Sequence, residues 1–272
     1  MDLLKYFEQL SQGENDEKKR QYKKSPLNII GSKRETLPQI LDLLPYTNTF
    51  VDVFGGSGTV ILSRNPCKLD VYNDRMSGAC DFFRAIRDDP ERLISQIELM
   101  PHSRELFQRF VTDSHNDYIA RGAIFYYLIQ CSFGGRGQFF GRVTQSKNTI
   151  IQKLYKNLEM FPAIHQRFKQ ITIENLDWKM CITDFDDYDT VFYCDPPYID
   201  SNVYEHNISH QELCDTIFKC KGFVALSGYE NDLYNSFPWS GKHVFDVTNR
   251  ITSDLTDRSA IRLECLWIKE GE

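Results

Sequence analysis

An α/β fold, with a doubly wound, mostly parallel sheet and one inserted helical region, is what this 272-residue sequence predicts. Three observations carry that reading. Val191-Phe192-Tyr193-Cys194 is an unbroken apolar run, as expected of a parallel strand buried on both faces. Phe50 to Val60 reads as a buried strand, a glycine-rich turn and the opening of a helix. Residues 77–165 are instead helical and rich in aromatics, with little strand signal. The length suits one large domain or a core carrying a smaller insertion, and 41% hydrophobic residues can fill a sizeable core.

In order along the chain, residues 1–24 are charged and polar, an amphipathic helix or loose arm to which no chemistry is assigned. Ser25 to Arg34 precedes a helical pattern through Leu37, Ile40, Leu41 and Leu44. Gly31 and Ser32, ahead of that helix, suit either an anion at its backbone N–H groups or an ordinary cap. In Asp52-Val53-Phe54-Gly55-Gly56-Ser57-Gly58 the glycines let the backbone pass close to a ligand. The spacing is not that of the dinucleotide fingerprint. A second strand, Leu69 to Tyr72, ends at Asn73-Asp74, and an acid about twenty residues past a glycine turn is where α/β nucleoside binders grip ribose hydroxyls. Turn and acid together argue for an adenosine-containing cofactor.

Helices are predicted over Cys80–Ile86, Pro90–Met100, Arg104–Val111, Ala120–Cys131 and Ile151–Phe161. Between the last two, Ser132 to Arg142 interleaves four glycines with Arg136, Gln138, Phe139 and Arg142, an exposed loop or hairpin. Arg and Gln can bond base edges bidentately, and Phe can wedge between bases. Strand character returns at Ile171–Trp178, then in the central run, where Asp195-Pro196-Pro197-Tyr198 follows Cys194. Neither proline can donate to a ladder, and each forces its predecessor into extended geometry. An acid and a phenol are thus held rigidly beyond a strand's carboxyl end, where open α/β sheets bind ligands. Ser209-His210-Gln211-Glu212 is a capping box opening a helix. It leaves His206 outside that helix, which argues against a metal pair with His210. Gly222–Ser227 is a further strand, and Arg262–Ile268 is expected to close the sheet.

The net charge of −6 looks wrong for a nucleic-acid binder, but the distribution does not. Lys18 to Arg34 holds seven Lys/Arg and no acid, and Tyr118 to Leu158 holds six (Arg121, Arg136, Arg142, Lys147, Lys153, Lys156), again without an acid. Two such stretches favour a phosphate-facing surface. No apolar run is long enough for a bilayer, and Met1 to Asn15 lacks the apolar segment of a secretory signal. Eight scattered cysteines without a C-x-x-C pair read as reduced, buried thiols of a cytoplasmic protein, with no metal and no membrane partner.

These residues resemble, over roughly 25–272, the Dam-like N6-adenine DNA methyltransferases, including phage-type members, that use S-adenosylmethionine. Asn28 to Lys33 resembles the first motif, which implies Ile30, Ser32 and Lys33 at the methionine end of the cofactor. Asp52, Phe54, Gly55, Gly56, Ser57 and Gly58 match the cofactor loop, Asp74 the ribose acid, and Asp177, followed by Trp178, the acid at the cofactor's adenine amine. Asp195-Pro196-Pro197-Tyr198 matches the catalytic tetrapeptide. The Arg/Glu-bearing strand Arg262–Ile268 is typical of the phage members. The resemblance implies a class I, Rossmann-like catalytic domain (25–76 and 166–272) with a target-recognition insertion (77–165). Ser132, Arg136, Gln138, Phe139, Arg142 and Lys147 would face double-stranded DNA. The chain departs from the family after the hairpin, with Phe139-Phe140-Gly141 in place of Pro-Phe-Gly. The tetrapeptide would also suit cytosine N4 or adenine in RNA, and the order of the motifs favours adenine in DNA over these and over a non-catalytic relative. A bacterial or phage-infected cell is the implied setting, with any restriction endonuclease a separate protein.

Overall fold

A computed structural model describes residues 25–29, 33, 35–142, 149–199, 208–247 and 262–271. Helix α1 (Leu37–Leu43) leads to β1 (Thr49–Asp52), α2 (Thr59–Ser63) and β2 (Leu69–Asn73). Six helices follow without a strand: α3 (Ser77–Asp88), α4 (Pro90–Glu98), α5 (Arg104–Thr112), α6 (Tyr118–Cys131), α7 (Thr149–Lys156) and α8 (Phe161–Phe168). Strand and helix then alternate through β3 (Ile171–Glu174), α9 (Trp178–Phe185), β4 (Thr190–Cys194), α10 (His210–Ile217) and β5 (Phe223–Tyr229). The short α11 (Asp232–Asn235), β6 (Gly241–Val247) and β7 (Arg262–Lys269) end the described chain. Among the described residues no helix is long and apolar enough to cross a membrane.

Two compact units emerge, one built from the described residues of 33–55, 65–75 and 176–272, the other from those of 1–32, 56–64 and 76–175. In the first, six strands of a seven-stranded sheet run in the order β2-β1-β4-β5-β7-β6. The pairs β1–β2, β1–β4 and β4–β5 are parallel, and β7 runs antiparallel to both β5 and β6. This is the doubly wound, class I methyltransferase-type sheet that the sequence predicts. Every residue of β4 is buried, as its apolar run requires. Val51, Phe192, Val224, Leu226 and Trp267 join Trp178, Ile182, Leu213 and Ile217 in one continuous core. Because β1 and β4 are neighbours while the chain leaves them in opposite directions, their carboxyl ends open a crevice at the switch point.

Three expectations need correction here. Arg262–Lys269 does not close the sheet: β7 is inserted between β5 and β6, and β6 is the edge. The sequence reading misses β6, in which, among the described side chains of Gly241 to Phe245, Phe245 is the buried one and Val244 is exposed. The strand expected over Ile171–Trp178 stops at Glu174, because the Asp177 side chain accepts from the Lys179 backbone N–H at 3.0 Å and caps α9. The helix expected over Ile151–Phe161 breaks at Asn157–Met160 into a 3₁₀ turn, and Phe161 opens α8. Ser209, by contrast, caps α10 as read, accepting from Glu212 N–H at 3.2 Å.

The second unit is an aromatic helical core. Phe82 of α3 stacks on Tyr126 of α6 at 5.5 Å, and Phe83 stacks on Phe168 of α8 at 4.4 Å. Phe161 meets Phe82 and Tyr126 edge-on. Helices α3 and α6 approach so closely that a Cβ on Gly122 would lie 2.8 Å from the Phe82 Cα and 2.9 Å from the Asp81 carbonyl oxygen. Arg121, counted above among the phosphate-facing cations, instead grips Asp81 at 2.6 and 3.2 Å and two backbone carbonyls. Its charge is spent inside the unit. Gly122→Val should therefore cost about 1–3 kcal/mol through overpacking against backbone. A lower denaturation midpoint with an unchanged slope would show it.

Candidate active site

The tetrapeptide Asp195-Pro196-Pro197-Tyr198 leaves β4 at the crevice, with Pro196 buried and the Asp195 side chain 18% exposed. Lys33, just ahead of α1, reaches the same place with 6% of its side chain exposed. Its ammonium lies 3.0 Å from Asp195 Oδ1, 2.5 Å from Glu264 Oε1 and 2.5 Å from the Tyr198 hydroxyl. Glu264, on β7, also accepts from Ser227 Oγ at 2.9 Å and from the Tyr198 hydroxyl at 3.2 Å. The Tyr198 ring packs on Tyr229 at 4.2 Å. Lys33, expected at the methionine end of the cofactor, is paired in the fold with Asp195.

Burial alone would drive protons off the Lys33 ammonium, yet Asp195, Tyr193 and Glu264 outweigh it and hold the group charged, above the ordinary lysine range. Burial pushes the Asp195 carboxyl up as well, to about 7, with Lys33 opposing the rise and Glu264 adding to it. A carboxyl so raised beside a specific charge partner in a crevice marks a candidate functional group.

Beside the tetrapeptide a cavity of about 570 Å³ is lined by Phe54, Asn73, Arg75, Asp177, Trp178 and Pro197, among others. Asn73 stitches its walls: its amide donates to the Val53 and Leu176 carbonyls at 2.9 and 3.3 Å, and its oxygen accepts from Leu176 N–H at 2.8 Å. One Asp177 oxygen caps α9, which leaves the carboxylate at the cavity with its second oxygen. Lys179 and Glu212 pair at 2.5 Å on the lining. Asp74 is buried at the end of β2, between the lining residues Asn73 and Arg75, and Asp52 is buried at the end of β1. Gly55 has no room for a side chain, since a Cβ would lie 2.3 Å from the Tyr72 ring. A slot with aromatic walls (Phe54, Trp178) and polar groups that include the Asp177 and Glu212 carboxylates has the mixed lining of a nucleoside-sized ligand site.

The second unit carries the remaining expected residues. Gly56 and Gly58 have positive φ, Ser57 is buried, and a Cβ on Gly58 would strike Phe83 at 2.8 Å. Ser132 to Arg142 forms the expected hairpin, closed by Phe133 N–H to Phe139 C=O at 2.7 Å and Gly141 N–H to Cys131 C=O at 2.8 Å. Arg136, Gln138, Phe139 and Arg142 are exposed. Ser132 is not. It is 6% exposed, donates to the Ile129 carbonyl at 3.1 Å and accepts from Gly137 N–H at 2.9 Å, so its hydroxyl shapes the loop from within. Ile30, Ser32 and Lys147 lie outside the described residues, as does His206; His210 meets the Tyr234 hydroxyl at 2.6 Å. The sequence reading passed over Glu264, Ser227, Tyr229 and Asn73. For Glu264 the available signals were an acid among Leu263, Cys265, Leu266 and Trp267 and the Arg/Glu-bearing strand of the resemblance, and neither assigned it a place in the site.

The profile of the D12 class N6 adenine-specific DNA methyltransferases matches residues 30–259. The chain is 29% identical over 197 residues to modification methylase LlaI of Lactococcus lactis subsp. lactis, covering 65% of this chain and 30% of that protein. It is 27% identical over 195 residues to modification methylase StsI of Streptococcus sanguinis, covering 66% and 29%. It is 29% identical over 196 residues to the type II methyltransferase M.FokI of Planomicrobium okeanokoites, covering 65% and 29%. The matched part thus spans just under a third of each relative's length. With the profile matching most of its length, the chain belongs to the D12 class N6 adenine-specific DNA methyltransferase family.

Proposed function

We propose that this chain transfers a methyl group from S-adenosylmethionine to the N6 amine of an adenine flipped out of duplex DNA. The observation that carries this reading is a rigidly held acid, Asp195, paired with Lys33 at the switch point of the sheet beside a nucleoside-sized cavity. Phe54, Trp178, Leu176 and Ile208 would enclose the cofactor's adenine, Asp177 would accept from its amine, and Asp74 would hold ribose hydroxyls. Asp52 and the turn Gly55-Gly56-Ser57-Gly58 would let the cofactor's tail pass close to backbone. When bound, S-adenosylmethionine supplies an electrophilic methyl group on a sulfonium.

The chain's own task is to make the adenine amine a nucleophile. Its lone pair is delocalised into the ring, so the site must favour the partly tetrahedral nitrogen of the transition state. Asp195 and the Pro196 carbonyl, fixed by two prolines, would accept the two amine hydrogens and aim the lone pair. This is positioning with preorganised electrostatics. Asp195, with its carboxyl at about 7, is also a fitting acceptor for the proton the methylated amine must lose. The target must leave the base stack to be reached, and Tyr198 would stack on it. The second unit would recognise the target, with residues 77–165 as recognition insertion and 25–76 plus 166–272 as catalytic domain. Arg136, Gln138 and Arg142 would donate to phosphates and base edges, and exposed Phe139 would wedge. The relatives are modification methylases, which supports a separate restriction endonuclease as partner activity.

Purified protein with radiolabelled S-adenosylmethionine should place label in N6-methyladenosine from duplex DNA and not from RNA. Asp195→Ala should abolish that label while S-adenosylmethionine binding by calorimetry survives. Near-normal turnover of this variant would remove Asp195 from the chemistry. Arg136→Ala should weaken DNA binding and, if Arg136 neutralises a phosphate, flatten the salt slope by about one. An unchanged binding isotherm would take Arg136 off the DNA surface.

A further inference from the structure

We propose that Glu264 is a positioning residue for methyl transfer: from β7 it holds the Lys33 ammonium beside Asp195 and divides that cation between two carboxylates. This rests on the reading of Asp195 as acceptor of the adenine amine. An ammonium has three N–H donors. Here the three face three acceptors, Asp195 Oδ1, Glu264 Oε1 and the Tyr198 hydroxyl. Glu264 is in turn immobilised by Ser227 on Oε1 and Tyr198 on Oε2. It is 4% exposed in a strand whose neighbouring residues are Leu263, Cys265, Leu266 and Trp267. A carboxylate buried in such a strand would destabilise the fold unless partnered, and two of its partners, Lys33 and Tyr198, touch or belong to the tetrapeptide.

The consequence is a pH profile. Among the described residues, the charged groups acting on Asp195 are Lys33 before α1 and Glu264 on β7, and Asp52 lies at the end of β1 opposite Tyr193. The phenols of Tyr193 on β4 and Tyr234 on α11 feel its charge, and Tyr198 packs on Tyr229 of β5. Ionised Asp195 accepts an amine hydrogen strongly and can take up the proton the methylated amine must lose, whereas protonated Asp195 accepts only weakly and takes up none, so turnover falls as pH drops through about 7. Glu264 raises that midpoint twice over, through its own negative charge and by drawing Lys33 away from Asp195. Removing its charge lowers the midpoint. Removing Lys33 raises it.

The test is single-turnover methyl transfer to duplex DNA across pH, for wild type, Glu264→Gln, Glu264→Asp and Lys33→Met, with calorimetric titration of S-adenosylmethionine alongside. For Glu264→Gln the acidic midpoint should move down by about one pH unit. Its plateau rate should fall about tenfold, with KM for S-adenosylmethionine within about twofold of wild type. Glu264→Asp keeps the charge and so the fold, but withdraws it by one methylene. Its midpoint should move the same way by less, and that of Lys33→Met should move up. A residue that merely fills space would slow transfer at every pH without moving the midpoint. Superimposable midpoints for wild type and both Glu264 variants, or an upward shift, would overturn the proposal while methylation stands. Failure of the wild type to label any DNA would instead remove the parent reading, and this one with it.

Discussion

A single ammonium shared by two buried carboxylates is the constraint on which the site depends. Any of the three charges alone at that depth would neutralise itself rather than remain ionised. Together they are mutually necessary, and taking one partner from a buried pair commonly costs about 3–5 kcal/mol because it strands the others. Apolar residues of similar volume would serve stability at least as well. The cluster is better explained by what it leaves over. Burial raises the Asp195 carboxyl, Lys33 opposes that rise, and the second carboxylate, Glu264, adds to it because one cation is set against two anions.

The register of the sheet decides which side chains can join that cluster. Tyr229 of β5 stands opposite Glu264 of β7, and Ser227 opposite Leu266. Alternate residues of a strand share a face, so Ser227 and Tyr229 come to the same face as Glu264, one opposite and one diagonal. Ser227 donates to Glu264, and Tyr229 packs on the Tyr198 ring. A slip of one residue would present Cys265 in place of the carboxylate. Insertion of β7 between β5 and β6 secures that register from both sides.

Legibility in the sequence followed the range of each interaction. The buried run of β4, its proline stop, the glycine turn and the helical stretch are local patterns, and each came through with its element type. Boundaries failed where one side chain overrode a pattern, as when Asp177 capped α9 inside an apparent strand. The edge strand β6 was missed because its apolar Val244 is exposed and Phe245 is its one buried described side chain, so no regular in-and-out pattern marks it. The site was legible at Asp195 and opaque at Glu264, because nothing in Arg-Leu-Glu-Cys-Leu says that a residue 231 positions away will neutralise the acid. Composition likewise could not tell Arg121, consumed by Asp81, from Arg136 on the open hairpin.

The hairpin obeys the opposite rule to the cluster. Its own needs are met from below, by Ser132 inside the loop and by Phe140 packed on His102, Phe107 and the Arg104 guanidinium. Gly135 lies so close to the Asn28 carbonyl that no side chain could stand there. With the frame anchored this way, Phe133 and Phe139 remain 76% and 66% exposed, paired through the backbone across the loop beside exposed Arg136 and Gln138. Two large apolar rings held in water by a fixed loop bring the free protein no burial, and with Arg136 beside them they suit the stacked bases and phosphates of the proposed DNA substrate. The acid cluster hides its charges to tune one proton, and the hairpin displays its side chains to meet a surface.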